Sequence, residues 1–191
     1  MQERRSNADR RQETRAALLQ AARALFTETG YAETGTPEIV ARAGVTRGAL
    51  YHHFADKRAL FLALVEAEAQ DIATSIDAAS LDATDPLTAL TQGARAYFAA
   101  MQAPGRVRLM LIDGPAVLGP DEMRRIDAAT GGATLREGLA ALPGVTARGA
   151  EMEALADLFS AMFDRAALAT ATGADPAPYA AMIDTMLARL A

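Results

Sequence analysis

Apolar residues recur at three- and four-residue intervals along almost the whole chain, and no stretch alternates apolar with polar over a strand's length. The spacing predicts an all-α fold. Glycine and proline punctuate it at Gly30, Gly35, Gly44, Asp85-Pro86, Pro104-Gly105, Gly114-Pro115, Gly119-Pro120, Gly131-Gly132, Pro143-Gly144 and Gly173–Pro178. About nine helices result. The first covers roughly 10–29, with Leu18, Ala22, Leu25 and Phe26 on one face and Gly30 as its C-cap. The second opens with Thr36 as N-cap, Pro37 in the first helical position and Glu38 facing the dipole; it turns Ile39, Val40 and Ala43 inward. Gly44-Val45 makes a sharp turn, and Thr46 caps a third helix ending at Leu50-Tyr51-His52-His53-Phe54. A fourth begins near Asp56-Lys57 and runs to about 79. Further segments fall near 86–103, 106–112, 120–130, 132–142, 147–172 and 177–190. The chain divides into an N-terminal unit, 1–58, and a helical body, 59–191, joined by the fourth helix.

The third helix is unlike a core helix. At 100° per residue Leu50 and Phe54 form a narrow inward stripe, while Gly48, Ala49 and His52 lie outward and Arg47, Tyr51 and His53 flank. A helix that anchors by two residues and presents small and polar ones can lie in the DNA major groove, as the second helix of a helix-turn-helix does. Arg47 suits bidentate contact with guanine, Gly48 allows close approach, and Ala49 can touch a thymine methyl. Tyr51, His52 and His53 can reach phosphates or base edges. Thr36, Thr46 and Lys57 sit at helix N-termini, where N–H groups and the dipole attract anions.

Composition sharpens this picture. The net charge is −5, but residues 1–58 hold ten Lys/Arg against seven Asp/Glu, a net of +3, and 59–191 hold nine against seventeen, a net of −8. Local charge governs phosphate contact. No cysteine is present, which excludes disulfides and Cys-ligated zinc. Adjacent His52 and His53 point about 100° apart and do not chelate one ion. No apolar run reaches the ~20 residues of a membrane span, and the charged N-terminus has no signal-peptide core. A cytoplasmic protein without cofactor, metal or membrane partner is expected. The Arg4, Arg5, Arg10 and Arg11 cluster is either an arm that reaches DNA or a charged tail.

The combination Phe26, Gly30-Tyr31, Thr34, Thr36, Ile39, Ala43-Gly44-Val45-Thr46, Gly48, Leu50-Tyr51, His53-Phe54, Lys57 and Leu60 resembles the TetR family of bacterial transcriptional regulators. The resemblance covers about the first third of the chain. A softer likeness to the ligand domain of some members lies in 111–127. The resemblance implies a three-helix DNA-binding unit, a homodimer on a palindromic operator, and release when a small-molecule effector enters the body. It places Thr36, Thr46, Tyr51, His53 and Lys57 at phosphates and Arg47, Gly48, Ala49 and His52 at bases. Thr36 departs from the apolar residue common there.

In the body, Leu155, Leu158, Phe159, Met162, Phe163 and Ala166 form one apolar stripe, and Tyr179, Met182, Ile183, Met186, Leu187 and Leu190 another. Part of each must be protomer core; the resemblance makes the pair a dimer interface. Helical bundles bind ligands between helices. Candidate cavity residues are Leu64, Phe98, Met101, Met110, Asp113, Leu118, Met123, Phe159 and Met162, with Arg95, Asp113, Asp164 and Arg165 as polar groups nearby. An enzyme is the competing class. It would need a nucleophile–base pair or a metal cluster, and neither pattern occurs. A DNA-binding protein without a ligand is the second alternative.

Overall fold

The computed structural model describes residues 7–191, and every regular element among them is helical. The elements are α1 (Asn7–Thr29), α2 (Thr36–Ala43), α3 (Arg47–His53), α4 (Lys57–Ser80), α5 (Pro86–Met101), α6 (106–118), α7 (Pro120–Ala128), α8 (Gly131–Ala140), α9 (Ala150–Ala171) and α10 (Pro176–Ala188). The count among the described residues is thus ten rather than about nine. Arg4 and Arg5 lie outside the described residues.

Local sequence explains most ends. Thr46 Oγ1 accepts the Ala49 N–H at 3.1 Å, and Asp56 Oδ1 accepts the Ala59 N–H at 2.7 Å, so α3 and α4 begin on side-chain caps. The cap of α2 differs from expectation. Gly35 is the N-cap, the Glu38 carboxylate accepts its N–H at 2.8 Å, and Thr36 and Pro37 already belong to the helix. The reaching-back carboxylate fixes the start one residue earlier than the threonine signal suggests. Gly44, at φ 66°, takes the left-handed conformation that turns the chain into α3.

Within α6 the backbone widens into a π turn over Leu109–Asp113, where the Gly114 N–H bonds the Leu109 carbonyl. Pro115 follows. Its ring would crowd the carbonyl four residues back in a regular helix, and the wider turn relieves that crowding.

One core cluster gathers Leu18, Phe26, Ile39, Leu50, Phe61 and Leu109 with Ala167, so it runs across residue 58 rather than stopping there. Phe26, Tyr31 and Phe61 form an aromatic knot with ring centroids 4.8–5.5 Å apart. A second cluster lies in the body, with Leu139, Phe159, Phe163, Ile183 and Leu187 among its members. α4 belongs to both units: its first turns pack under α1–α3, and its later turns lie along α5.

The joint between units is polar and buried. Glu68 of α4, only 4% exposed, accepts from Arg23 Nε of α1 at 2.7 Å and from Arg106 Nε of α6 at 2.6 Å. Burial pushes its carboxyl up, but the bonds from Arg23 and Arg106 outweigh that and hold it below the usual range. Arg23 also reaches the Pro104 carbonyl at 3.3 Å, and Arg58 donates to the Leu118 carbonyl at 3.1 Å. Gly105 has φ 76°, and a Cβ there would stand 2.4 Å from Thr27. The turn before α6 is therefore seated directly on α1.

Candidate functional site

α3 stands on the surface as its pattern requires. Leu50 and Phe54 are buried against α1, whereas Thr46, Arg47, Gly48, Tyr51 and His52 are exposed and Ala49 and His53 half-buried. The Arg47 guanidinium lies over the Tyr51 ring, 5.5 Å from its centroid. Hydrogen bonds with Thr36 and then Arg47 lower the Tyr51 phenol from its ordinary value. Thr36 of α2 and Arg47 and Tyr51 of α3 thus form one polar group on the outer face.

A second group extends that face along α1. His53 borders a shallow groove with Asn7, Arg11, Gln12 and Arg15. Burial first, then the positive charges of His52, Arg11 and Arg15, hold its imidazole below the usual histidine value. Arg15 also lies 5.5 Å from the Phe54 ring centroid. The sequence pattern grouped Arg10 and Arg11 with the N-terminal run and passed over Arg15. The detectable signal was Arg11 and Arg15 at i, i+4 on α1.

Lys57 opens α4, and its side chain turns back onto the loop between α1 and α2. Its ammonium donates to the Tyr31 and Thr34 carbonyls, each at 2.9 Å, and lies 4.2 Å from the Tyr31 ring centroid. It ties the α1–α2 loop to α4 before it can serve a phosphate. One ammonium proton is left for that purpose.

The body encloses a half-open cavity of about 480 Å³ between α4, α5, α6, α7, α8 and α9. Met101, Met110 and Met123 line it as expected. Six other candidates lie outside its lining. Phe98 packs behind the wall against Tyr97 and Phe163, at 5.4 and 5.9 Å between centroids. Asp113 pairs with Arg108 at 3.4 Å. Phe159 and Met162 lie on the face of α9 that packs into the second core cluster. Leu64 and Leu118 are buried in the first.

Polar groups gather on one side of the cavity. The Tyr97 hydroxyl donates to Asp164 Oδ1 at 2.6 Å, and the Ser160 hydroxyl donates to Asp127 Oδ2 at 3.1 Å. Burial pushes the Asp164 carboxyl up to about 6 against the Tyr97 bond, with the charge of Asp127 adding to the rise. Burial and the charge of Asp157 likewise raise Asp127, against the Ser160 bond. The Tyr97 phenol is raised far above its ordinary value by burial and by Asp164. The legible trace of this side was the spacing Asp157, Ser160, Asp164, which puts the three on one face of their helix.

The proposed dimer stripes also split. Phe159, Phe163 and Ile183 are buried in the protomer's own core. Leu155, Met162 and Tyr179 pack partly against it. Leu158, Met182 and Met186 are 67%, 54% and 41% exposed, a degree unusual for large apolar side chains together on two neighbouring helices. Among the described residues, no helix is long and apolar enough to cross a membrane, and no group of three His, Asp or Glu is arranged to hold a metal.

Residues 18–64 match the family model described as bacterial regulatory proteins, tetR family, and residues 87–191 match that of the tetracyclin repressor-like C-terminal domain. The chain is 30% identical over 127 residues to the HTH-type transcriptional activator FasR of Mycolicibacterium smegmatis, covering 66% of this chain and 58% of that one. It is 41% identical over 81 residues to the HTH-type transcriptional repressor BepR of Brucella suis, covering 42% and 39%. These alignments span less than two thirds of the curated relatives' length. A solved TetR-family transcriptional regulator from Pectobacterium atrosepticum is 35% identical over 97% of this chain and 95% of its own, with a TM-score of 0.70.

Proposed function

The chain belongs to the TetR family of bacterial regulators, and on that premise we propose that it is a ligand-responsive transcriptional repressor rather than an enzyme. Residues 1–58 read DNA, and 59–191 bind an effector and dimerise. The homodimer pairs α9 and α10 of each protomer through Leu158, Met182 and Met186. It thereby sets two copies of α3 about 34–36 Å apart on a palindromic operator in the cytoplasm. Arg47, Gly48, Ala49 and His52 face bases, while Thr36, Thr46, Tyr51, His53 and the remaining ammonium proton of Lys57 hold phosphates, with Arg11 and Arg15 extending the contact.

The observation that carries this reading is the single arrangement of an exposed, two-residue-anchored α3 and a half-open cavity, linked by α4 and α6. An effector in the cavity favours one setting of α6 against α1, and DNA favours another. The effect on DNA cannot exceed the difference in effector affinity between those settings. Selection of random duplexes by the full chain tests it. Enrichment of a two-fold-symmetric site bound by a dimer is the expected outcome; no enrichment over random DNA overturns it. The likeness to the activator FasR supports a second reading, in which bound protein promotes transcription. Transcription in vitro from a promoter carrying the selected site separates the two, since a repressor lowers the transcript and an activator raises it.

A further inference from the structure

The cavity is asymmetric in charge. One wall is apolar, with Ile72, Leu90, Met110 and Phe163. The lining also carries Asp127 from α7 and Asp157 and Asp164 from α9, of which Asp164 is half-buried and the other two are exposed. Among the described residues no Lys or Arg pairs with any of these three carboxylates. The side chains that bond them are hydroxyls, Tyr97 on Asp164 and Ser160 on Asp127. The remaining charged lining groups are Glu137 of α8 and Arg124 of α7, and Arg124 is already paired with Asp121. α4 and α6 contribute no charged group to the lining. A cavity walled this way holds negative charge that the protein itself does not neutralise.

Resting on the effector reading above, we propose that the cavity takes a lipophilic cation, an apolar body of drug-like size bearing a protonated or quaternary nitrogen, with the nitrogen set between Asp127 and Asp164. The cavity volume, about 480 Å³, lies within the range of small-molecule sites. The half-buried Asp164 carboxylate and its exposed neighbour Asp127 have no cationic partner among the described residues, and a cation between them supplies one while the apolar body covers the methionine wall. An anionic ligand meets four carboxylates and one committed guanidinium and is repelled. The raised Asp164 and Asp127 carboxyls agree with this. Protonation competes with the cation, so affinity falls as pH drops below about 6.

Calorimetry with the full chain tests the proposal using a matched set: 4-phenylbutyl-trimethylammonium, its uncharged tert-butyl isostere and 5-phenylpentanoate. The trimethylammonium compound should bind at least about tenfold more tightly than the isostere, and the carboxylate should not bind. D127N and D164N should each weaken the cation about tenfold and leave the isostere unchanged. D157N, which has no hydroxyl partner among the described residues holding it at the site, should do so to a smaller extent and supplies the test if either of the first two misfolds. The proposal is overturned if the isostere or the carboxylate binds as well as the cation, if the asparagine variants leave cation affinity intact, or if none of the three probes binds. Operator release is read separately. A neutral compound that binds in the cavity and releases DNA sinks the ligand class and keeps the effector reading. A cation that binds without altering DNA affinity does the reverse.

Discussion

Replacing Glu68 by glutamine tests the joint between the two units. The side chain keeps its size but loses its charge, and its amide N–H₂ group faces guanidinium donors where a carboxylate accepted them. Two charge-assisted bonds are affected, from Arg23 at 2.7 Å and Arg106 at 2.6 Å. The Arg106 side chain is 12% exposed, and losing its partner leaves a desolvated cation. The Arg23 side chain is 31% exposed, so water recovers part of its loss. Together these give about 3 kcal/mol of destabilisation at pH 7. For a chain of this size that is a fall in Tm of about 6–12 °C. Circular dichroism at 222 nm during thermal and urea unfolding measures it. A double-mutant cycle with Arg106→Met isolates a coupling of about 2 kcal/mol. The pH dependence has a fixed sign. The Glu68 carboxyl is held below its unfolded value, so its contribution is fully present above about 4.3 and is lost as pH falls through the folded value. The gap between wild type and E68Q should therefore close under acid. A loss below about 0.5 kcal/mol at pH 7, or a gap that widens under acid, refutes the argument.

Other expectations follow from single contacts. Arg47→Ala should cost about 1–3 kcal/mol on the operator and relax preference at one base pair, read by anisotropy on single-substituted duplexes. Lys57→Met should lower stability by about 1–2 kcal/mol, because it frees the Tyr31 and Thr34 carbonyls, with only a modest change in the salt dependence of DNA binding. Leu158→Glu, at a position 67% exposed, should raise the dimer dissociation constant at least about tenfold in sedimentation while leaving the Tm of dilute protomer unchanged. Gly105→Ala should cost about 2 kcal/mol or more, since φ 76° and a Cβ 2.4 Å from Thr27 forbid the methyl without moving α6 off α1. The Asp164 carboxyl, raised to about 6, opposes stability once ionised. Its share of stability is therefore lost as pH rises from about 4 to about 6, and D164N should flatten the Tm profile over that interval.

The helical order, the three-helix head and the exposed face of α3 were all legible in the chain's local patterns. Those depend on local rules: Thr46 and Asp56 cap the helices that follow them, Gly44 permits a left-handed turn, and a 100° step puts Leu50 and Phe54 together on α3. Each signal acts over a few residues, so it survives without knowledge of the neighbours. The body was legible only as apolar stripes. A stripe names a face that avoids water but not what covers it. Phe159 and Leu158 are adjacent and equally apolar, yet one turns into the protomer's own core and the other into solvent. That Met110 lines a cavity while Phe98 stands behind its wall emerges from the packing of whole helices. That packing alone brought Asp127 beside Ser160 and took Lys57 to two backbone carbonyls. Those pairings span tens of residues along the chain, and the angles at which whole helices cross set them, information that no local pattern of side chains contains.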